Sequence, residues 1–301
     1  MKTRIEQDEP NDPASTGTSG TPTIQTVEVS RSSVTTPTNG LRAFVRRREL
    51  VIFFFLSYLI AWSTLPFGSF LAFSPLLSAI IVIAIAEGLP GLAQLGRRLI
   101  RWRVNWIWYA AAIALPLLVH AVAVGLNMAA GAPSPSMAQF QPWYAVLMVF
   151  GLSMVNPIEG PLGEEPAWRG FAQSRLQSKW SPLTSAALLA LLITCWHLPL
   201  VFMPQFDLAL PDIATTLLVT FWYAWLFNRT GGSVLLTLIA HASEGSVNVK
   251  ALWLAGPDAD RLAWTWLAAW ALLVAALLIF DRKSWRTAPE PAIDRVPGRI
   301  S

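Results

Sequence analysis

The chain has 301 residues, 54% of them hydrophobic and only 13% charged, against roughly 25% charged in an ordinary soluble domain, and this points to a membrane protein. A net charge of +4 does not signal nucleic-acid binding, because the basic residues fall in short clusters beside apolar runs, where they orient helices in a bilayer. The one cysteine, Cys195, excludes an internal disulfide framework and reads as a small packing residue.

In chain order, the first 40 residues are rich in Ser, Thr, Pro, Gly and acidic residues and have no apolar stretch long enough for a signal-peptide core. Residues 1–44 read as a disordered cytosolic tail. Residues 45–281 read as a transmembrane helical domain. A bilayer span takes about 20 mostly apolar residues, and eight segments qualify: 49–65, 70–93, 105–128, 142–160, 182–203, 211–228, 233–250 and 261–280. The fold class is therefore all-α, a polytopic membrane bundle of about eight helices. Fifteen Trp and fifteen Phe against four Tyr fit helix ends seated in an aromatic interfacial belt. Residues 282–301 are charged and contain Pro, and read as a flexible cytosolic tail. No internal repeat is evident.

The basic residues test the count. Arg42, Arg46, Arg47 and Arg48 precede the first span, and Arg97, Arg98, Arg101 and Arg103 follow the second. Arg169, Arg175 and Lys179 follow the fourth, Arg229 the sixth, and Arg282, Lys283 and Arg286 the eighth. Eight alternating spans put all five clusters on one side, while the opposite loops carry Asp207, Asp258 and Asp260. By the positive-inside rule both termini are expected in the cytosol, with the chain a multi-pass protein of the plasma membrane.

Ionisable residues within membrane segments are costly, and by default they face a bundle interior or a water-filled cavity and carry function. The run PLGEEPAWRGFAQSRLQ sets Glu164 and Glu165 at the start of a helix, with Pro166 suited to its first turn. Glu165 and Arg169, four apart, share a face. The bland account of the pair is a helix N-terminus that favours acidic side chains, with a local ion pair; the flanking spans and two later histidines favour a functional one. His197 is followed two residues on by Pro199, which removes a backbone hydrogen bond and opens the helix there. His241 leads an unusually polar run, Ser243, Glu244, Ser246 and Asn248, in which Asn248 lies two helical turns on and so on a similar face. His120 reads as an ordinary structural histidine. With helical arms of about 1.5 Å per residue, Glu164 and His197 each lie some 22 Å from the turn at Trp180 and Ser181, and His241 about 18 Å from Arg229, so the three groups reach similar depths.

The order of EExxxR (Glu164, Glu165, Arg169), a histidine in a later span (His197) and a last histidine after an N-x-TGGS-type turn (Asn228 to Ser233, then His241) resembles the CPBP family, which includes the type II CAAX prenyl endopeptidases, also called Rce1-like or Abi proteins. The resemblance covers about residues 140–250 and implies the catalytic core of an eight-helix intramembrane endopeptidase acting on a membrane-associated peptide or protein. It implies that Glu164 activates the attacking water and that His197 and His241 position that water, stabilise the oxyanion or bind metal. Glu165 and Arg169 match positions that hold the first glutamate in place. A set of Glu164, His197 and His241 suits a divalent ion such as zinc; metal-independent chemistry uses the same residues. The chain departs from the family pattern at Ile193, where Phe is usual, and at Gly245, where Asn is usual, and Asn248 is the residue that could substitute. Two other classes use the same residues: a transporter relaying protons or a cation through the intramembrane Glu and His side chains, and a noncatalytic immunity or scaffold relative.

Overall fold

The computed structural model describes residues 40–158 and 160–287; of the tails expected over 1–44 and 282–301, residues 1–39 and 288–301 lie outside these. Five stretches are long and apolar enough to cross a bilayer: Glu49–Phe67, Trp106–Ala129, Pro182–Phe202, Leu210–Arg229 and Pro257–Phe280. They contain the helices α2 (Glu49–Trp62), α5 (Trp106–Ala129), α9 (Pro182–His197), α10 (Leu210–Arg229) and α12 (Pro257–Phe280). The described residues hold helices and no strands, and the chain is an all-α membrane bundle.

The other three expected spans are shorter, two of them for a local reason. The 70–93 segment divides into α3 (Ser74–Ala86) and α4 (Leu89–Leu99) at Gly88, whose φ of +71° only glycine adopts readily. The 142–160 segment forms α6 (Tyr144–Val155), which stops at Asn156 before Pro157. The 233–250 segment forms α11 (Val234–Gly245). At 12 residues, α6 and α11 rise about 18 Å, well under the roughly 30 Å of a hydrocarbon core.

Helical structure also runs past both edges expected for the domain. Helix α1 (Gly40–Arg47) begins before residue 45, because Val45 is buried and the Arg42 guanidinium caps the end of α3 at the Ala86 carbonyl, 3.1 Å away. At the other end, α13 (Arg282–Arg286) docks through the buried Trp285, whose indole donates to the Leu277 carbonyl at 3.1 Å.

Side-chain caps start the helices that matter for the site. Ser181 accepts from the Thr184 N–H with Pro182 in the first turn of α9, and Ser233 accepts from the Leu236 N–H to start α11. The Asp212 carboxylate accepts from the Ala209 N–H at 2.7 Å at the head of α10. Helix α10 is central: 56% of its apolar window is buried, against 17% for Glu49–Phe67, and it packs against both α9 and α12. Helix α11 packs on α5 and reaches α7 (Pro161–Glu165).

Two apolar clusters flank the middle of the bundle. In one, Phe53, Trp168, Phe171, Leu189 and Trp196 join α2, α9 and the segment after α7; in the other, Trp222, Leu226, Leu236, Leu262 and Trp270 join α10, α11 and α12. Backbone acceptors fix the first: the Tyr58 hydroxyl donates to the Leu192 carbonyl at 2.5 Å, and the Trp62 indole to the Trp196 carbonyl at 3.1 Å. Trp196, and with it His197, is thereby tied to α2.

Candidate active site

The two glutamates lie where a short helix changes register. Helix α7 ends at Glu165, and Pro166–Gln173 continue as a π-helix, every residue of which is buried, before the short α8 (Ser174–Gln177). Such i→i+5 turns are rare and concentrate at functional sites. Backbone groups that the wide turn handles poorly are met from outside it. The Arg98 guanidinium donates to the Gly170 carbonyl at 2.8 Å, the Ser174 hydroxyl reaches the same carbonyl at 3.2 Å, and Arg98 also bonds Ser174. Gln173 donates to the Ala224 carbonyl at 3.1 Å and to the Asn228 side chain at 3.3 Å, which ties the π-helix to α10. Upstream, a Cβ on Gly163 would lie 2.6 Å from the Pro157 carbonyl oxygen and 3.0 Å from Phe73 Cα, so only glycine lets α7 approach the head of α3 this closely.

Glu164 and Glu165 have separate partners. The Trp168 indole, one turn on, donates to Glu164 Oε2 at 3.1 Å, and Glu164 is 7% exposed. Glu165 is fully buried, and its Oε1 accepts from Arg169 and from His241 Nδ1, each at 3.0 Å. The resemblance implies that Glu165 and Arg169 hold Glu164; in the structure they pair with each other, Glu165 also pairs with His241, and the Trp168 indole holds Glu164. Tyr223 of α10 completes this layer: the Arg169 guanidinium lies 4.9 Å from the centre of its ring, and the ring stacks on His241 at 5.2 Å. His197 donates from Nδ1 to the Ile193 carbonyl at 2.9 Å and meets the Trp196 ring edge-on at 4.7 Å. Because a carbonyl and a carboxylate only accept, both histidines carry hydrogen on Nδ1 and leave Nε2 free.

One cavity of about 210 Å³ is lined by Glu164, Arg169, His197, Tyr223, His241 and Glu244, together with the face of α10 from Asp212 to Thr220. Glu165 sits behind that lining. Asn248 does not line the cavity. Helix α11 ends at Gly245, so the seven-residue spacing from His241 no longer places the two on one face, and Asn248 is exposed ahead of the turn Val249–Leu252. Glu244 faces the cavity instead. His120 is buried against the Trp266 ring, 5.4 Å away, outside the lining. Among the described residues no group of three His, Cys, Asp or Glu side chains is disposed to hold a metal ion. Glu164, His197 and His241 line one cavity.

Trp168 and Tyr223 are the site residues that sequence reasoning passes over, while Glu244 is visible only as part of the polar run after His241. The i to i+4 spacing of Trp168 from Glu164 is a visible signal, as is a tyrosine in mid-span of a chain with four.

A multi-pass helical membrane protein with carboxylates and imidazoles around one internal cavity is the class that this fold and site define. Residues 141–245 match the family model of the Rce1-like proteins, described as type II CAAX prenyl endopeptidases. The match runs from α6 to α11 and contains Glu164, Glu165, Arg169, His197 and His241 but not Asn248. No curated protein matches the chain.

Proposed function

We propose that the chain is an intramembrane endopeptidase, like the CAAX prenyl proteases in mechanism, that hydrolyses a peptide bond in a membrane-associated peptide or protein. The observation that carries this reading is the cavity shared by Glu164, His197 and His241, with Glu165 behind His241 fixing its tautomer. Glu164 takes a proton from water as the water oxygen bonds to the scissile carbonyl carbon. Charge then develops on the carbonyl oxygen, and the proton passes to the nitrogen as the C–N bond breaks, leaving a carboxylate and an amine. The free Nε2 atoms of His197 and His241 hold the water and, when protonated, donate to the oxyanion. The carboxylate of Glu165 balances positive charge on His241 during turnover, as in other His–carboxylate pairs. Each histidine and glutamate has a role in a metal-independent reaction.

The five basic clusters support a plasma-membrane protein with both termini cytosolic, whose partners are the bilayer and its peptide substrate rather than nucleic acid. Purified protein carrying Glu164→Ala is expected to fold in detergent and to leave uncut every membrane peptide that the wild type cleaves; retained cleavage removes Glu164 from this role. Comparing peptide termini in membranes that contain wild type or Glu164→Ala identifies the substrates. One observation favours a noncatalytic relative, namely Gly245 where the family has Asn, with Asn248 exposed away from the cavity. An unchanged cellular phenotype of Glu164→Ala supports that second reading.

A further inference from the structure

Glu244 is the lining carboxylate with no assigned work. It is partly buried at the end of α11 and makes no hydrogen bond or ion pair among the described residues. The charge it feels is that of His241, whose Nδ1 is already committed to Glu165. An uncompensated carboxylate at membrane depth is costly and marks function by default.

The balance of charge around it has one sign. The cavity lining holds the carboxylates of Glu164, Asp212 and Glu244 against one fixed cation, Arg169, and Arg169 is bound to Glu165. Asp212 also lines a second cavity of about 460 Å³, walled by Asp207, Asp260, Trp253 and Trp264. The cation there, Lys250, is taken as well, donating to Asp212 at 2.8 Å and to the Asp207 carbonyl at 2.7 Å. The buried Oδ1 of Asp212 has no partner. Two adjoining cavities thus present carboxylates without a free Lys or Arg. A substrate ending in a free carboxylate, as an uncleaved prenylated C-a-a-X tail does, meets like charge here. An ammonium or guanidinium group meets an acidic approach whose field is focused by low-dielectric walls, tryptophan faces that attract cations, and an unpaired acceptor next to the candidate catalytic histidine.

We propose that Glu244 is a specificity-determining residue that binds a cationic group of the substrate, the side chain of a Lys or Arg near the scissile bond or a free α-amino group. This rests on the protease reading above. The test uses full-length protein in detergent and matched quenched-fluorescence peptides that differ at one position, Lys, Arg, norleucine or Glu, each with a free or an acetylated N-terminus, plus a farnesylated peptide with a free C-terminus. The Lys and Arg peptides are expected to show kcat/KM about tenfold or more above norleucine, the size of one charge-assisted contact, with Glu and the farnesylated peptide below it. Acetylation separates the two sources of the cation. Glu244→Asp is expected to keep the order, Glu244→Gln to collapse the Lys-to-norleucine ratio toward one, and Glu244→Lys to favour the Glu peptide. A wild type that cuts all the peptides alike overturns the proposal, whatever the variants do, and so does a Glu244→Gln protein that slows them all equally. Anisotropy titrations with the same peptides keep the two readings apart: charge-dependent binding without cleavage sinks the protease reading and sustains the role of Glu244.

Discussion

A single oxygen of Glu165 joins two helices: Oε1 accepts from Arg169 in its own segment and from His241 of α11, both at 3.0 Å. The buried carboxylate therefore decides which nitrogen of His241 faces the cavity. Glu165→Gln leaves the Arg169 guanidinium buried without its counter-charge, a loss of roughly 3–5 kcal/mol. A large fall in melting temperature in detergent is expected, together with loss of cleavage. Adding Arg169→Met is expected to restore the melting temperature but not the activity. A Glu165→Gln protein that melts like wild type would show that the pair is not a tie.

Trp168 separates packing from hydrogen bonding. Its ring lies 5.5 Å from Phe53 and 5.6 Å from Trp196, while its indole N–H holds Glu164. Trp168→Phe keeps most of the packing and removes the donor, so kcat is expected to fall about tenfold, the weight of one hydrogen bond to a charged group, with little change in melting. Trp168→Ala opens a cavity as well and is expected to cost roughly 3–5 kcal/mol. Equal melting temperatures for the two variants would contradict this division.

Gly163→Ala drives a methyl group against the Pro157 carbonyl and Phe73, and overpacking of this kind costs roughly 1–3 kcal/mol. Gly151→Ala is the control, since a Cβ there meets nothing within 4 Å and alanine raises helix propensity. Thermal melts are expected to place the first below wild type and the second at or above it.

Asn248 and metal ions are tested by the same assay. Exposed and outside the cavity lining, Asn248→Ala is expected to change kcat/KM by no more than about twofold, the range of an ordinary surface substitution. Prolonged dialysis against EDTA is expected to leave cleavage unchanged. Loss of activity restored by zinc would assign the histidines to an ion instead.

Glu164, Glu165, Arg169, His197 and His241 are legible in sequence because each is an ionisable group whose burial in an apolar span calls for a reason. What each one touches is much less legible. Periodicity pairs Glu165 with Arg169, four residues on, but carries no information about His241, 76 residues away. The Asn248 expectation extends a helical face beyond the point where α11 ends, and so fails at Gly245. Trp168 and Tyr223 read as core because an aromatic residue in an apolar helix is usually just that, and the Tyr223 ring meets Arg169 and His241 only through the tertiary fold. The long spans α2, α5, α9, α10 and α12 follow from hydropathy alone. The shortened elements depend on single residues, such as Gly88 and Pro157, that a sliding average smooths over.

The π-helix over Pro166–Gln173 makes the chain's tolerance of change depend on residue number more than on residue identity. Dropping one residue from that segment rotates everything beyond it by about 100°. Arg175, which pairs with Glu49 at 2.8 Å and also with Glu87, would then swing away from both, and Gln173 would leave α10. Substitutions within the segment can be absorbed one contact at a time, whereas a one-residue deletion uncouples the two glutamates from the ion pairs of Arg175 with Glu49 and Glu87 in a single step.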